Sequence, residues 1–325
     1  ITSNLTNVFF INENIGWVHD ARGIYKTTDG GSNWILQMSQ DSFYIRGLFF
    51  LNQNTGWITY QVYETMNGGI YKTTDGGTSW NLQMTTGQNV NIGQIQFTDT
   101  SNGFCIGTWS MGPCQFYKTT NSGLTWSTTE LPINLPFGLT FIDNNTGWIA
   151  GATIHKTTDA GISWTQQFNI DPLFFSFIQF VNDNTGWAFS RGWWPETKMY
   201  KTTNGGQSWF PQPSLRFNSL QFIDESLGWA LMDSIIYRTS DGGENWEIQY
   251  SNTNNSMIDI YLINLNQGWV VGDSGLILHT NNGGTPVELS NFDAISIDDK
   301  IVINWTTVSE INNQGFEIER ENNSE

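Results

Sequence analysis

Charge is what this chain has least of. Asp, Glu, Lys and Arg make up 13% of its 325 residues, about half the usual share. Only 13 are Lys or Arg, against 30 Asp or Glu, which leaves a net charge of −17. So acidic a surface is a poor match for a phosphate backbone, which argues against nucleic acid as a partner. Long apolar runs are missing too. None reaches the ~18 residues of a membrane-spanning helix.

Aromatic residues, by contrast, reach 14%, with 16 Trp. That is too much large apolar surface for a disordered chain. Asn, Thr, Ser and Gly supply the polarity that Lys and Glu usually supply, which favours a β protein rich in turns.

The sequence repeats one unit. Its clearest element is KTTDGGSNW (26–34), followed by KTTDGGTSW (72–80), KTTNSGLTW (118–126), KTTDAGISW (156–164), KTTNGGQSW (201–209) and RTSDGGENW (238–246). A seventh copy, HTNNGG (279–284), lacks the Trp and runs into Pro286. The central positions are Asp29, Asp75, Asn121, Asp159, Asn204, Asp241 and Asn282, spaced 37 to 46 residues apart. A second element, Asx-x-x-x-Gly-aromatic, keeps the same rhythm from Asn12–Trp17 to Asn264–Trp269. A short alternating run precedes each copy, such as VFFI (8–11) and LTFI (139–142). Alternation bounded by Asx and Gly predicts a strand and a tight turn.

Each unit then contains four strands: a (the alternating run), b (from Gly-Trp), c (ending in Lys-Thr-Thr) and d (from the box Trp). Seven such units predict an all-β fold, a seven-bladed β-propeller of four-stranded antiparallel blades over 1–285 with a short β extension at 286–325. Twelve Trp, six after Gly and six in the boxes, become packing between blades. The Ser/Thr-x-Asp-x-Gly-x-x-Trp boxes resemble the Asp-box, or BNR repeat. The combined rhythm is similar to propellers of the photosystem II assembly and stability factor type. The resemblance implies the fold. It leaves function open, because Asp-box propellers include sialidases, other glycosidases, sorting receptors and binding modules.

Asp and Asn alternate at the box centre, so the group there is expected to accept hydrogen bonds and not to bind metal or catalyse. The position three residues earlier is Lys26, Lys72, Lys118, Lys156, Lys201, Arg238 or His279. An anion-binding ring is one reading. Stems laid along Trp with their heads in water is the blander one.

Propeller ligands usually sit on the face formed by the b–c and d–a loops. There, blades 2, 3 and 5 depart from the repeat at 59–69, 107–113 and 190–198. These insertions hold Trp109, Trp193 and Trp194, the three propeller Trp that the repeat does not explain, together with Tyr60, Tyr63, Met111, Arg191 and Glu196. Flat aromatic faces beside polar groups suit a sugar ring or a peptide. Alternatively, long hairpins bury their own aromatics. Phe43, Tyr44, Phe174 and Phe175 extend the same surface or pack at blade junctions.

Catalysis finds little support. Arg22, Arg46, Arg191 and Arg216 do not reproduce a sialidase triad. Of Asp20, Asp171, Glu196, Asp233, Asp259 and Asp273, no pair is singled out as the two carboxylates of a glycosidase. His19, His155 and His279 fall in different blades, so no metal or cofactor is expected.

Cys105 and Cys114 flank the blade 3 insertion, and a disulfide there would fit an extracellular or cell-surface setting; two buried free thiols are the alternative. Residues 286–325 read as three strands, 287–297, 300–308 and 315–321. They resemble the start of the fibronectin type III-like domains that follow propellers in secreted Bacteroidetes proteins, which often carry a type IX sorting domain. Blade 7 lacks its box Trp. Its outer strand must come from 286–291, from residues before blade 1, or from another molecule. The sequence thus points to a non-catalytic extracellular module that binds a protein or glycan on the loop face. The alternatives are a self-assembling filament or array subunit joined by C-terminal strand addition, or a glycoside hydrolase.

Overall fold

The computed structural model describes residues 1–109, 112–169, 174–191, 197–213, 216–251, 253–283, 289–297 and 300–307. It is a seven-bladed β-propeller. Six blades, at 7–39, 44–85, 90–130, 138–169, 174–212 and 219–250, are four-stranded antiparallel sheets with their strands in chain order. Blade 7, at 257–280, departs from the expected pattern. Among the described residues it has three strands, Met257–Leu262, Gly268–Gly272 and Ile277–Thr280. Its b–c connection is a single 3-10 turn, Asp273–Gly275. Two further strands, Leu289–Ile297 and Lys300–Thr307, pair with each other in a separate sheet. The third expected strand, 315–321, lies outside the described residues. Among those described, no helix is long and apolar enough to cross a membrane.

The blade pattern follows from the repeat. Strand a alternates in burial, as in Asn7–Phe10. Strand b is buried on both faces, as in Gly16–His19, because neighbouring blades cover it on both sides. Strand d lies at the rim and is largely exposed, as in Ile35–Ser39. The first Asx of the second element shapes the a–b turn: Asn12 Oδ1 accepts the N–H groups of Asn14 and Ile15.

Blades lock together through aromatic pairs. The Gly-Trp indole of one blade lies flat on the strand a Phe of the next: Trp17 on Phe50, Trp57 on Phe97, Trp148 on Phe180 and Trp187 on Phe222, with centroids 3.5–3.6 Å apart. Blade 3 substitutes Phe104, which stacks on Phe141 at 3.8 Å. Each pair contributes about 0.5–1.5 kcal/mol beyond the area it buries. The Gly of Gly-Trp makes room within the blade. At Gly56 a Cβ would stand 2.5 Å from the Phe50 ring across the a–b pair.

Among the described residues the ring closes without exchange of a strand. Trp269 of blade 7 stacks on Phe10 of blade 1 and donates its indole N–H to the carbonyl of Gly30. Leu5, fully buried, bonds through its N–H to Gly272. Asn4 accepts the Ser274 N–H.

Candidate functional site on the loop face

The boxes form the opposite, c–d side, and their geometry is architectural. In box 1, Thr27 Oγ1 donates to Asp29 Oδ1 and accepts the N–H of Gly31. Asp29 Oδ1 also takes the Asn33 N–H, and Oδ2 takes the Asn33 amide. Where Asn replaces Asp, the residue four positions on reverses its role. Asn121 and Asn204 donate their Nδ2 to Thr125 and Ser208, whereas Asp75 and Asp159 accept from Ser79 and Ser163. The serine hydroxyls and N–H groups pull Asp75 and Asp159 down to about 2. Both corner residues take positive φ, a region that side chains disfavour. Gly76 and Gly77 have φ of 75° and 103°. Ser122 and Ala160 hold the first position at 62° and 61° in their boxes, and the second position is glycine in all six complete boxes.

At six of the boxes the basic position lies over its cross-strand aromatic. The Nζ atoms of Lys26, Lys72, Lys156 and Lys201 stand 4.7–5.3 Å from the rings of Trp17, Trp57, Trp148 and Trp187. Arg238 lies over Trp229, and His279 stacks on Trp269. The lysine heads do more than sit in water. They donate to carbonyls of the next blade: Lys26 to Gln53, Lys72 to Ser122, Lys156 to Gly205 and Lys201 to Glu225. These cations are inter-blade ties.

On the loop face the structure divides the expected residues. Tyr60 belongs to the core. It is 6% exposed and packs against Phe43 and Tyr71, so the blade 2 hairpin does bury one of its aromatics. Phe43 and Phe175 are also buried. Tyr63 is 72% exposed. Trp109 and Arg191 end their strands, Gly103–Trp109 and Gly186–Arg191, but their side chains lie outside what is described. Met111, Trp193, Trp194 and Glu196 lie outside the described residues altogether.

A cluster not foreseen from the sequence stands beside Tyr63. Tyr44, at the start of strand a of blade 2, meets the Tyr63 ring edge-on at 6.1 Å. Two guanidinium groups flank Tyr44: Arg22, from the blade 1 b–c turn, at 5.6 Å and Arg46 at 5.8 Å. The register of strand a shifts between Ile45 and Gly47. This bulge frees Arg46 from regular alternation and re-aims it. Its Nε and Nη2 donate to Gln61 Oε1, and Gln61 donates to Met66 Sδ. Arg22 donates to Asp41, which is nearly fully exposed. Arg22, Arg46, Tyr63 and Met66 are all exposed. The signal was present in Tyr-Ile-Arg-Gly-Leu-Phe-Phe (44–50), where Arg-Gly interrupts an otherwise apolar strand.

The carboxylates considered for hydrolysis that have defined partners act as scaffold. Asp20 accepts from the Ser3 hydroxyl and from the N–H groups of Arg22 and Gly23. Asp259 is enclosed. It accepts from Val8 N–H, the Asn7 amide and the Ser219 hydroxyl, and burial pushes it up to about 6. Burial also lowers His19 to about 4, so its ring is neutral. Among the described residues no three His, Cys, Asp or Glu side chains gather as a metal set.

The expected disulfide is not formed. Cys105 and Cys114 are free and buried. Cys105 faces the core shared with blade 2, beside Trp57 and Ile95. Cys114 faces the core shared with blade 4, beside Phe141 and Ile149. Thiols on opposite faces of one sheet cannot bridge without backbone movement.

Comparison with known proteins agrees with this fold. The pattern of the family described as photosynthesis system II assembly factor YCF48 matches residues 214–321, about a third of the chain. No curated protein matches. The structure of YCF48 bound to D1 peptide is 18% identical, with a TM-score of 0.68 over 86% of this chain and 93% of that one. YCF48 from Cyanidioschyzon merolae is 17% identical, with a TM-score of 0.67 over 86% and 96%. The GH74 enzyme of Niastella koreensis is 15% identical, with a TM-score of 0.69 over 95% of this chain and 59% of that one. At such identities the likeness is one of fold.

Proposed function

We propose that this propeller is a non-catalytic binding module that takes an extended, acidic segment of a partner protein across the loop face of blades 1 and 2. The carrying observation is that the Arg22 and Arg46 guanidinium groups stand 5.6 and 5.8 Å from the Tyr44 ring, with Tyr63 exposed beside them. In a chain of net charge −17 with 13 Lys and Arg, five of those cations lie over Gly-Trp indoles. A local positive, aromatic patch there matches a carboxylate-bearing peptide, since guanidinium groups pair with carboxylates in fixed geometry. The complex of the similarly folded YCF48 with D1 peptide supports a peptide over a sugar. The free thiols leave the extracellular setting resting on sequence resemblance alone.

The test is fluorescence anisotropy with a panel of short synthetic peptides of mixed Asp, Glu, Phe and Tyr content, with a glycan array in parallel. Acidic aromatic peptides are expected to bind the wild type and to weaken with salt. Arg46→Ala and Tyr63→Ala should each lower affinity about tenfold, a loss of ~1.4 kcal/mol. Peptide binding indifferent to both substitutions, or binding of glycans alone, would overturn the proposal.

A further inference from the structure

The interface between blades 3 and 4 departs from the repeat on both of its sides. At four other interfaces the Gly-Trp indole donates its N–H to the first corner residue of the next box, Gly76, Gly205, Gly242 or Gly30. Blade 3 has Phe104 at that position, which has nothing to donate to the equivalent corner residue, Ala160. Five blades carry Gln three residues after the box Trp: Gln37, Gln83, Gln167, Gln212 and Gln249. Gln37 and Gln167 cover the second corner glycine of the next blade, Gly77 and Gly206. Blade 3 has the shorter Thr129. A groove of about 280 Å³ opens at this interface, and Phe116, Lys118, Thr125, Thr129, Gly161 and Ile162 are among the residues that line it. Lys118 stands opposite Phe104 in the strand pair and is half-buried. Lys26, Lys72, Lys156 and Lys201 donate to carbonyls of the next blade. Lys118 does not: among the described residues no carbonyl, carboxylate or ring holds its ammonium. The box corners of these two blades are also apolar. Leu124 and Ile162 are 71% and 78% exposed, where the other complete boxes have Ser32, Thr78, Gln207 and Glu244.

We propose that this groove takes an acidic side chain of a partner protein, whose apolar neighbours in sequence rest on Leu124 and Ile162. The ammonium of Lys118 is a charge without a counterpart in this chain, and a carboxylate would give it a charge-assisted hydrogen bond. Thr125 accepts from the Asn121 amide, which leaves its hydroxyl proton for the ligand. In a chain of net charge −17, an anion is repelled at long range, so apolar contact must add to the ion pair. Leu124 supplies it from outside the groove, and an exposed apolar pair flanking a charged slot fits a protein segment better than a free small acid. The groove lies toward the box end of the wheel between blades 3 and 4, whereas the loop-face patch of blades 1 and 2 lies at the opposite end.

The experiment titrates the full chain, by fluorescence anisotropy, into a fluorescein-labelled, amidated peptide Ser-Gly-Leu-Glu-Leu-Gly-Ser. The same peptide with Gln for Glu, the same peptide with Ser for both Leu, and hexanoate as a competitor are run alongside. The Leu-Glu-Leu peptide is expected to bind saturably, and the Gln and Ser peptides at least about tenfold more weakly. Lys118→Gln removes the cation and should weaken binding at least about tenfold. Thr129→Gln restores the residue that five other blades carry, so it should melt like the wild type and, by filling the groove, abolish binding. Arg46→Ala should leave binding unchanged, which separates this site from the loop face. Absence of binding to the wild type overturns the proposal. So does a Gln peptide that binds as tightly as the Glu peptide, a Thr129→Gln protein that still binds, or hexanoate that competes as well as unlabelled peptide, which would make the groove a small-acid site.

Discussion

The indole of Trp269 lies on the ring of Phe10 with centroids 3.5 Å apart and planes 8° from parallel, and its N–H reaches the Gly30 carbonyl at 2.9 Å. This pair joins the last blade to the first. It uses the same geometry as the interior interfaces, so closure needs no shared strand.

The pair therefore predicts how the ring opens. Phe10→Leu copies the blade 6–7 interface, where Leu262 stands at that position, and should cost about 0.5–1.5 kcal/mol from the lost stack. Phe10→Ala leaves a cavity beside a fully buried indole and should cost about 3–5 kcal/mol. Denaturant melts measure both. Equal costs for the two would show that the stack, and not the packed volume, holds the seam.

The boxes predict an acid limit. The Ser79 and Ser163 hydroxyls and N–H groups hold Asp75 and Asp159 at about 2, below the unfolded value near 3.9. Their depressed values contribute stability above the unfolded pKa that is lost as pH falls through about 4 toward 2. In Asp75→Asn that slope should flatten while the neutral-pH melting temperature stays near that of the wild type, since Asn121 and Asn204 hold their own boxes. Asp75→Ala removes the acceptor for the Ser79 N–H and should cost about 1–2 kcal/mol. A wild-type melting temperature flat from pH 4 to pH 2 would contradict this account.

The wheel was legible in the sequence because the repeat tests itself. Six copies of Gly-Trp and six of the box Trp must find one packing solution, and Asp-to-Asn exchange at the box centre showed which atom mattered. The patch was much less legible. Arg46 depends on a bulge in strand a, and Arg22 comes from another blade, so no linear spacing brings them to Tyr44. Tyr60 and Tyr63 look alike in sequence, yet strand pairing turns one inward and leaves the other on the loop. The cysteines misled for a related reason. Antiparallel neighbours can bridge only from one face, and a nine-residue separation does not reveal which face each thiol takes.

The thiols give a direct check. Both are buried, and burial raises Cys105 well above a normal thiol, which suppresses the reactive thiolate. Ellman's reagent should label neither in the native protein and both after denaturation. Intact mass should not change with reductant. Cys105→Ser should destabilise by about 1–3 kcal/mol, because a hydroxyl beside Trp57 and Ile95 is buried among apolar groups. Rapid native labelling would contradict the two-core placement.

Asp259 sets the pH response on the alkaline side of the box carboxylates. Its carboxylate ties three blades, taking Ser219 from blade 6 and Asn7 and Val8 from blade 1. Burial outweighs these donors and raises it to about 6. The folded state thus holds a proton that the unfolded chain releases near 3.9. The favourable contribution is full below the unfolded value and is lost as pH rises through about 6. A carboxyl raised that far loses about 2–3 kcal/mol of stability across the window. Asp259→Asn keeps an acceptor and removes the charge, so its melting temperature should gain on the wild type steadily between pH 4 and pH 7 and then level off. A constant difference across that range would mean that the carboxylate stays ionised inside the wheel and that the three donors, not its burial, decide its state.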